Sequence, residues 1–371
     1  MARRLQILAP TRYPWRFNGP RQSRHDIEVR NFLPLNKVAS AIEGITVFDP
    51  LPPRRSDLVH GFNRIPLGRT PFIIGFESHL PRAFGWQDSK FFHWMTQMLA
   101  SPRCRRIVAI SEYAKRQFIQ QHAGLPELDD LLAKLEVRYP NIGLSPLVID
   151  NEKGEQTLRL LFVGNHFARK GGCVALRLAE IAQQQGLPVQ IDIVSSFETG
   201  SWVDPTRPAF FEAERALLAS LPNVTHYGAL PNEHVLRLIE AAHFLLLPTF
   251  SDTFGYSAIE AMARGVPVIG TDQAALPEFI RDGENGILLP LEKNAVGEWR
   301  HVARRDRGSV AYEEFFRLEV DRLADAAFTQ IQKVFGTPSY AAMRHNARIT
   351  AEQLFDAAAA NKYWDDLYEQ A

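Results

Sequence analysis

The chain has 371 residues, too many for one ordinary hydrophobic core and about right for two domains. Its 42 Lys and Arg balance 42 Asp and Glu, so no global field selects nucleic acid or membrane as the partner. Cys104 and Cys173 are the only cysteines and show no CxxC spacing, which argues against a disulfide scaffold or a zinc site and for a reducing compartment.

The N-terminal apolar run is too short for a signal peptide, and no stretch approaches the roughly 20 apolar residues of a membrane span, so the expected location is the cytoplasm. One local asymmetry survives the neutral total. The first thirty residues hold seven arginines (Arg3, Arg4, Arg12, Arg16, Arg21, Arg24 and Arg30) against Asp26 and Glu28, with Tyr13, Trp15 and Phe17 among them. Such a loop can be a solvated face with ion-paired arginines. It can also meet a phosphorylated acceptor or anionic headgroups at the inner face of a membrane, as a peripheral contact.

In chain order, residues 5–9 read as a strand, followed by a long loop at 10–24 rich in Pro, Gly and Arg. Residues 27–42 have helical spacing; 45–48, 58–60 and 72–76 read as strands; 91–99 reads as a helix. The strand 107–110 runs into a helix for which Ser111 is the N-cap. A polar stretch at 149–156 is the best linker. The alternation then restarts. Strands are expected at 158–163, 189–194, 224–227, 244–247, 266–270 and 287–289, and helices at 173–185, 208–221, 232–242 (capped by Asn232), 257–263 and 276–280. The charged run 300–307 reads as a solvated connection to an amphipathic helix at 312–334, and the last fifty residues read as helical. Strand–helix alternation predicts α/β domains with parallel sheets, residues 1–150 and residues 151–354. Open parallel sheets bind ligands beyond their strands' carboxyl ends.

The densest chemistry lies in SDTFGYSAIEAMARG at 251–265. The helix starting near Ser257 points its N-terminus at the carboxyl edge of the sheet, where free amides and the helix dipole favour an anion. Gly255 lets the backbone approach a ligand. Asp252 precedes the helix and Glu260 lies about one turn inside it. Acidic residues near helix starts are common because they satisfy the dipole, so the pair alone means little. With FG between and AMARG after, the arrangement suits a ligand with a diphosphate in the middle and hydroxyls at both ends, that is, a nucleotide sugar.

The run SDTFGYSAIEAMARGVPVIGTDQAALPEFIRDGENGILL resembles the retaining glycosyltransferases of family 4 (glycosyl transferases group 1), whose pattern is Glu-x7-Glu with FG after the first Glu and EAMA-x-G-x-PVI at the second. LRLLFVGNHFARKGG, NVTHYGALPNEHVLRLIEAAHFLLLPTF and RRIVAISEYAKRQF are similar to further pieces in the family's order. The likeness is dense over 158–289, patchy before it and weak over 291–335. It implies a GT-B fold, with two Rossmann-like domains facing across a cleft and a C-terminal helix at 355–371 that returns to the first domain. It also implies a metal-independent hexosyltransferase of class EC 2.4. Such an enzyme would pass a sugar from a UDP- or GDP-linked donor to a hydroxyl of a glycan, a lipid-linked or a small-molecule acceptor, in polysaccharide biosynthesis. The nucleotide sugar is then a substrate, and no cofactor, metal or nucleic acid is expected.

By the same resemblance Asp252 faces donor-sugar hydroxyls, Glu260 holds the ribose, and Phe254, Gly255 and Tyr256 meet the sugar and diphosphate. Lys170, with Gly164, Asn165 and Arg169 around it, serves the leaving diphosphate. The implied catalytic set is His79, Asp252 and Lys170. Arg12, Trp15, Glu77 and Arg82 are the acceptor-side candidates. His79 can equally be an ordinary polar residue, and His60 is a weaker alternative to it. Two positions depart from the family: Asp252 is one methylene shorter than Glu, and Asn165 stands where many relatives carry Arg. Those departures keep open a non-catalytic nucleotide-sugar or glycan-binding protein. A nucleotide-sugar epimerase shares the architecture, but the several cleft carboxylates and histidines it needs are not visible.

Overall fold

The computed structural model describes residues 3–11, 13–31, 43–46, 56–144 and 157–371. The chain divides into two compact units, Met1–Leu144 with Leu354–Ala371, and Ser145–Gln353. The expected linker at 149–156 and the candidate Arg12 lie outside the described residues.

In the first unit the order is β1 (Gln6–Pro10), α1 (Tyr13–Phe17), β2 (Asp26–Arg30), β3 (Ile45–Thr46), β4 (Leu58–Phe62), β5 (Ile65–Pro66), β6 (Phe72–Phe76), α2 (Lys90–Ala100), β7 (Cys104–Ala109), α3 (Glu112–Gln121), α4 (Leu128–Leu132) and β8 (Leu135–Val137). Six strands form one sheet in the order β2-β1-β4-β6-β7-β8, and every pair is parallel. Their continuous apolar runs, such as Phe-Ile-Ile-Gly-Phe in β6, are wholly buried, as a sheet covered on both faces requires. Ser111 caps α3 by accepting from the Ala114 N–H at 3.0 Å, as its position before the helix predicts.

Two sequence expectations change here. Residues 27–30 are not the start of a helix but most of β2, paired in register with β1 from Gln6 and Asp26 onward. Ile27 and Val29 alternate with Glu28 and Arg30, a period of two that only the neighbouring strand makes decisive. The loop at 10–24 contains the short α1, which buries Trp15 and Phe17. Arginines of this segment are met by acids: Arg3 by Asp57, Arg4 by Asp26, Arg24 by Asp366 and Glu369, and Arg30 by Glu28.

The second unit contains β9 (Leu158–Val163), α5 (Phe167–Lys170), α6 (Gly172–Gln184), β10 (Val189–Val194), α7 (Pro208–Ser220), β11 (Val224–His226), α8 (Asn232–Ala241), β12 (Phe244–Leu247), α9 (Tyr256–Met262), β13 (Val268–Thr271), α10 (Leu276–Phe279), β14 (Gly286–Leu289) and α11 (Val310–Val334). Its sheet, in the order β11-β10-β9-β12-β13-β14, is also parallel throughout. The chain winds outward from β9 to β11, then crosses back to lay β12 on the other side of β9. The topological switch point therefore lies between β9 and β12, where such sheets open a crevice for ligands.

The connection before α11 is less solvated than its charge suggests. Trp299 is fully buried in the core with Phe250 and Phe316. Arg304 lies over the Tyr312 ring at 5.0 Å, and Arg307 donates to the Ser201 carbonyl at 2.6 Å. A run of charges can thus strap a loop to a core when its guanidiniums find rings and carbonyls.

The long helix α12 (Pro338–Phe355) leads into α13 (Ala357–Gln370), which Asp356 caps through the Ala359 N–H at 3.0 Å. Ala360, Trp364, Leu367 and Tyr368 pack against Ile7, Leu58, Ile73 and Val108 of the first sheet, so the C-terminal helix does return to the N-terminal unit. His60 completes that contact. Its Nδ1 is 2.8 Å from the Tyr368 hydroxyl and its ring lies 4.4 Å from Trp364. It is fully buried, and burial pushes its pKa down to about 3. The weaker candidate His60 is therefore a neutral core residue.

Candidate active site

Three loops leave the carboxyl ends of the adjacent strands β10, β9 and β12. The segment after β9 carries Gly164 and Asn165 and, on α5, Arg169 and Lys170; the loop after β12 carries Ser251 to Gly255. Gly164 is required by its neighbour: a Cβ there would lie 2.8 Å from the Lys170 Cβ. The lysine stem thus packs across the end of β9 and brings its ammonium to the switch point.

There Lys170 donates a short hydrogen bond to Asp252 Oδ2, while Oδ1 accepts from the Thr253 N–H at 2.8 Å. The Asp252 side chain is 9% exposed. Burial alone would raise its pKa, but the charge and hydrogen bond of Lys170, then Arg169 and the Thr253 amide, hold it below the ordinary carboxylate value. The pair is an ionised carboxylate and its cation, held at the mouth of a parallel sheet.

Arg169 lies beside them and is 8% exposed. One terminal nitrogen donates to the Ser251 carbonyl at 2.8 Å, and its backbone carbonyl accepts from the Phe250 N–H at 2.8 Å and the Thr249 hydroxyl at 3.0 Å. These bonds lace the β9 and β12 loops together. Arg169 thereby holds the loop that bears Asp252. Asn165 does different work: its side-chain oxygen accepts from Ser196 N–H at 3.4 Å and its carbonyl from Glu198 N–H at 2.7 Å, which fastens the β10 loop.

Gly255 turns the chain into α9 at φ 90°, a conformation that favours glycine, and a Cβ there would sit 2.9 Å from Leu247. Phe254 is buried and stacks on Phe279 at 5.2 Å, so its backbone rather than its ring is what a ligand can meet. Tyr256 is the half-buried first residue of α9. Glu260 is 6% exposed, and Oε1 accepts from Asn232 Nδ2 at 3.1 Å. Asn232 was expected to cap α8. Pro231 occupies the cap position instead, which frees the amide side chain to serve Glu260.

In the first unit Glu77 Oε1 accepts from Asn63 Nδ2 at 2.7 Å and Arg82 at 2.6 Å, while Arg82 also reaches Glu43 at 3.4 Å. The two acceptor-side candidates Glu77 and Arg82 are thus brought together as one charged pair after β6. His79 is half-buried with its ring edge-on to Phe84 at 5.4 Å. Trp15 is buried, edge-on to His60 at 5.7 Å.

Sequence reasoning missed three contributors: Asn232, Ser251 and Trp202. Trp202 belongs to the loop after β10; it is 54% exposed, its ring lies 4.8 Å from the Arg169 guanidinium, and its indole N–H donates to Ser251 Oγ at 3.1 Å. The available signal was a tryptophan in a Gly-Ser-Trp-Val-Asp-Pro turn just beyond a strand's carboxyl end.

Residues 157–299 match the family model described as Glycosyl transferases group 1. A D-inositol 3-phosphate glycosyltransferase of Mycobacterium sp. (strain KMS) is 36% identical over 205 residues, covering 53% of this chain and 43% of that protein. An uncharacterized 41.2 kDa protein of the cps region of Klebsiella pneumoniae is 30% identical over 143 residues, covering 38% of this chain and 36% of that one. The match therefore spans less than half the length of either relative. Among solved structures, Anabaena HepE in complex with UDP superposes with a TM-score of 0.63 at 16% identity, covering 100% of both chains. A glycosyltransferase from Rickettsia africae ESF-5 gives 0.60 at 14% identity, covering 99% of this chain and 98% of that one. The chain has the GT-B fold, and its segment 157–299, which carries Lys170, Asp252 and Glu260, matches the glycosyl transferases of group 1.

Proposed function

We propose that this protein is a retaining glycosyltransferase that moves a sugar from a UDP- or GDP-linked donor to a hydroxyl of a glycan, lipid-linked or small-molecule acceptor. The observation that carries the reading is the Lys170–Asp252 pair, held by Arg169 at the switch point of the sheet that matches the family. The Anabaena neighbour has been crystallised with UDP and with UDP-glucose, which supports a nucleotide sugar as donor.

In this reading the donor diphosphate lies over the end of β9 and exchanges places with Asp252 as a partner of Lys170. The bond from the anomeric carbon to the diphosphate oxygen breaks, and its electron pair leaves with the nucleotide. The acceptor oxygen attacks on the face the nucleotide leaves, and its proton passes to the departing phosphate. Charge grows on that phosphate as the bond breaks, so a fixed ammonium at Lys170 is worth more in the transition state than in the ground state. Asp252, released from the lysine, accepts from donor-sugar hydroxyls. Glu260, steadied by Asn232, takes the ribose hydroxyls. His79 is proposed as a further catalytic group, and Glu77 and Arg82 as acceptor-side residues.

Release of UDP or GDP from candidate donors, measured with and without a panel of glycan and lipid-linked acceptors, tests the reading. Acceptor-dependent release with retention at the anomeric carbon is expected. Tight nucleotide binding without turnover on any donor would leave a binding protein on the same fold. A thermal-shift screen of donors comes first, because a ligand bound only by the folded state raises the melting temperature.

A further inference from the structure

The loop between β10 and α7 is anchored on both sides of a single exposed indole. Val203 and Asp204 are fully buried. The Ser201 N–H donates to Asp204 Oδ2 at 3.0 Å, Arg307 donates to the Ser201 carbonyl at 2.6 Å, and the Tyr312 hydroxyl donates to the Val203 carbonyl at 2.7 Å. Upstream, Phe197 stacks on Phe167 at 4.2 Å, and the Phe167 N–H donates to the Glu198 carbonyl at 2.9 Å. Trp202 stands between these anchors and is 54% exposed.

The indole is held as well as displayed. Its N–H is fixed on Ser251 Oγ, the residue before Asp252, and the Arg169 guanidinium lies 4.8 Å from its ring centroid. With the guanidinium against the ring, more than half of the residue still remains open to solvent. Arg169 itself is 8% exposed, and its Nε has no hydrogen-bond partner among the described residues. An exposed tryptophan on a braced loop, backed by a buried cation and tied to the carboxylate loop, is a preformed flat apolar surface. Aromatic faces pack against the C–H faces of sugar rings at little conformational cost, because so little rotamer freedom is left to lose.

We propose that Trp202 is a specificity-determining residue that stacks on the sugar ring of the nucleotide-sugar donor, beside Asp252. The inference rests on the function proposed above. Ser251 fixes Trp202 at the Asp252 end of the site, whereas the ribose position belongs to Glu260 on α9. A short carboxylate and a flat wall then act together: Asp252 takes hydroxyls in the plane of the sugar, and Trp202 covers one face of it.

The test uses the full chain and four probes: UDP, GDP, UDP-glucose and GDP-mannose. Binding is read by titration calorimetry and by tryptophan fluorescence, the Trp202 signal being the difference between wild type and Trp202→Phe. Trp202→Leu is expected to weaken the nucleotide sugar about tenfold while leaving the free nucleotide within about twofold, and Trp202→Phe, which keeps a face, to lose about threefold or less. The difference fluorescence should respond to the nucleotide sugar and not to the nucleotide. An equal loss for both ligands in Trp202→Leu, at unchanged melting temperature, would overturn the stacking role and leave Trp202 as a brace for Arg169. Binding of the nucleotide sugar with a silent Trp202 would also overturn it, while the transferase reading stands. Failure of all four probes to bind the wild type overturns both.

Discussion

Each unit holds a polar cluster beside its sheet, and the protein treats charge in the two in opposite ways. Around Asp252 the chain spends a lysine, an arginine and a backbone amide to keep a carboxylate ionised against the pull of burial. Around His60 it supplies a neutral tyrosine hydroxyl and two indoles, and burial drives the imidazole to its neutral form. The first cluster lies at the carboxyl edge of a sheet, where a ligand can replace one partner of the ion pair. The second lies beneath a helix that nothing needs to displace. A buried charge with a replaceable partner is suited to chemistry; a buried neutral polar group is suited to fixing how a helix docks.

Removing the cation is the strongest way to break this contrast. Lys170→Ala should lower the transfer rate about 10²–10³-fold, as loss of a transition-state charge partner does elsewhere. It also leaves Asp252 buried without its main partner, so its pKa should rise, and the stability that the wild type loses on acidification through this depressed carboxylate should shrink or change sign. Single-turnover rates together with urea titrations across pH separate the two effects. Normal transfer in this variant would remove Lys170 from the leaving-group role.

The His60 cluster has its own signature. Its folded pKa is depressed to about 3 against an ordinary value of 6.5, so below pH 6.5 the unfolded chain binds a proton that the folded chain refuses. Stability from this group is complete above pH 6.5 and is lost on acidification at roughly 1.4 kcal/mol per pH unit until the folded pKa is reached. His60→Gln should be less stable at neutral pH but should lack that slope between pH 6.5 and 4.5. An unchanged slope would show that His60 is not held neutral.

Smaller effects sharpen the picture of the ribose end. Glu260→Ala should weaken nucleotide binding by about tenfold or more, the cost of losing a charged hydrogen-bond acceptor. Asn232→Ala, which removes only the amide that steadies Glu260, should weaken it about two- to fivefold with little change in kcat, since an oriented partner rather than a contact is lost. Calorimetry with UDP and GDP reads both. An Asn232 effect as large as that of Glu260 would mean that Asn232 touches the ligand directly.

The second unit was legible because its elements are stated locally. Apolar runs of strand length alternate with helical spacing from 158 onward, and the proposed donor-loop residues lie within short stretches of sequence just after β9 and β12. The first unit was harder to read. Ile27 and Val29 fit a helix as well as a strand until β1 lies beside them, and the exposed look of Trp15 and Phe17 dissolves once α1 folds them inward. Asn232 looked like a cap because caps are read from chain position, whereas its actual partner, Glu260, is 28 residues away.

The sequence by itself determined that the chain builds two parallel α/β units. It determined that Gly164, Lys170, Asp252, Gly255 and Glu260 sit beyond strand ends, and that Ser111 caps a helix. These follow from periodicity and from offsets of a few residues, which a linear pattern records. Only the tertiary structure decided that Lys170 meets Asp252, that Arg169 binds Ser251 beneath Trp202, and that His60 is sealed under the last helix. Those contacts join residues 33 to 308 positions apart in the chain. Which distant side chain pays for a buried charge, and which is left facing solvent, is set by the order in which strands lie in a sheet and not by their order in the sequence.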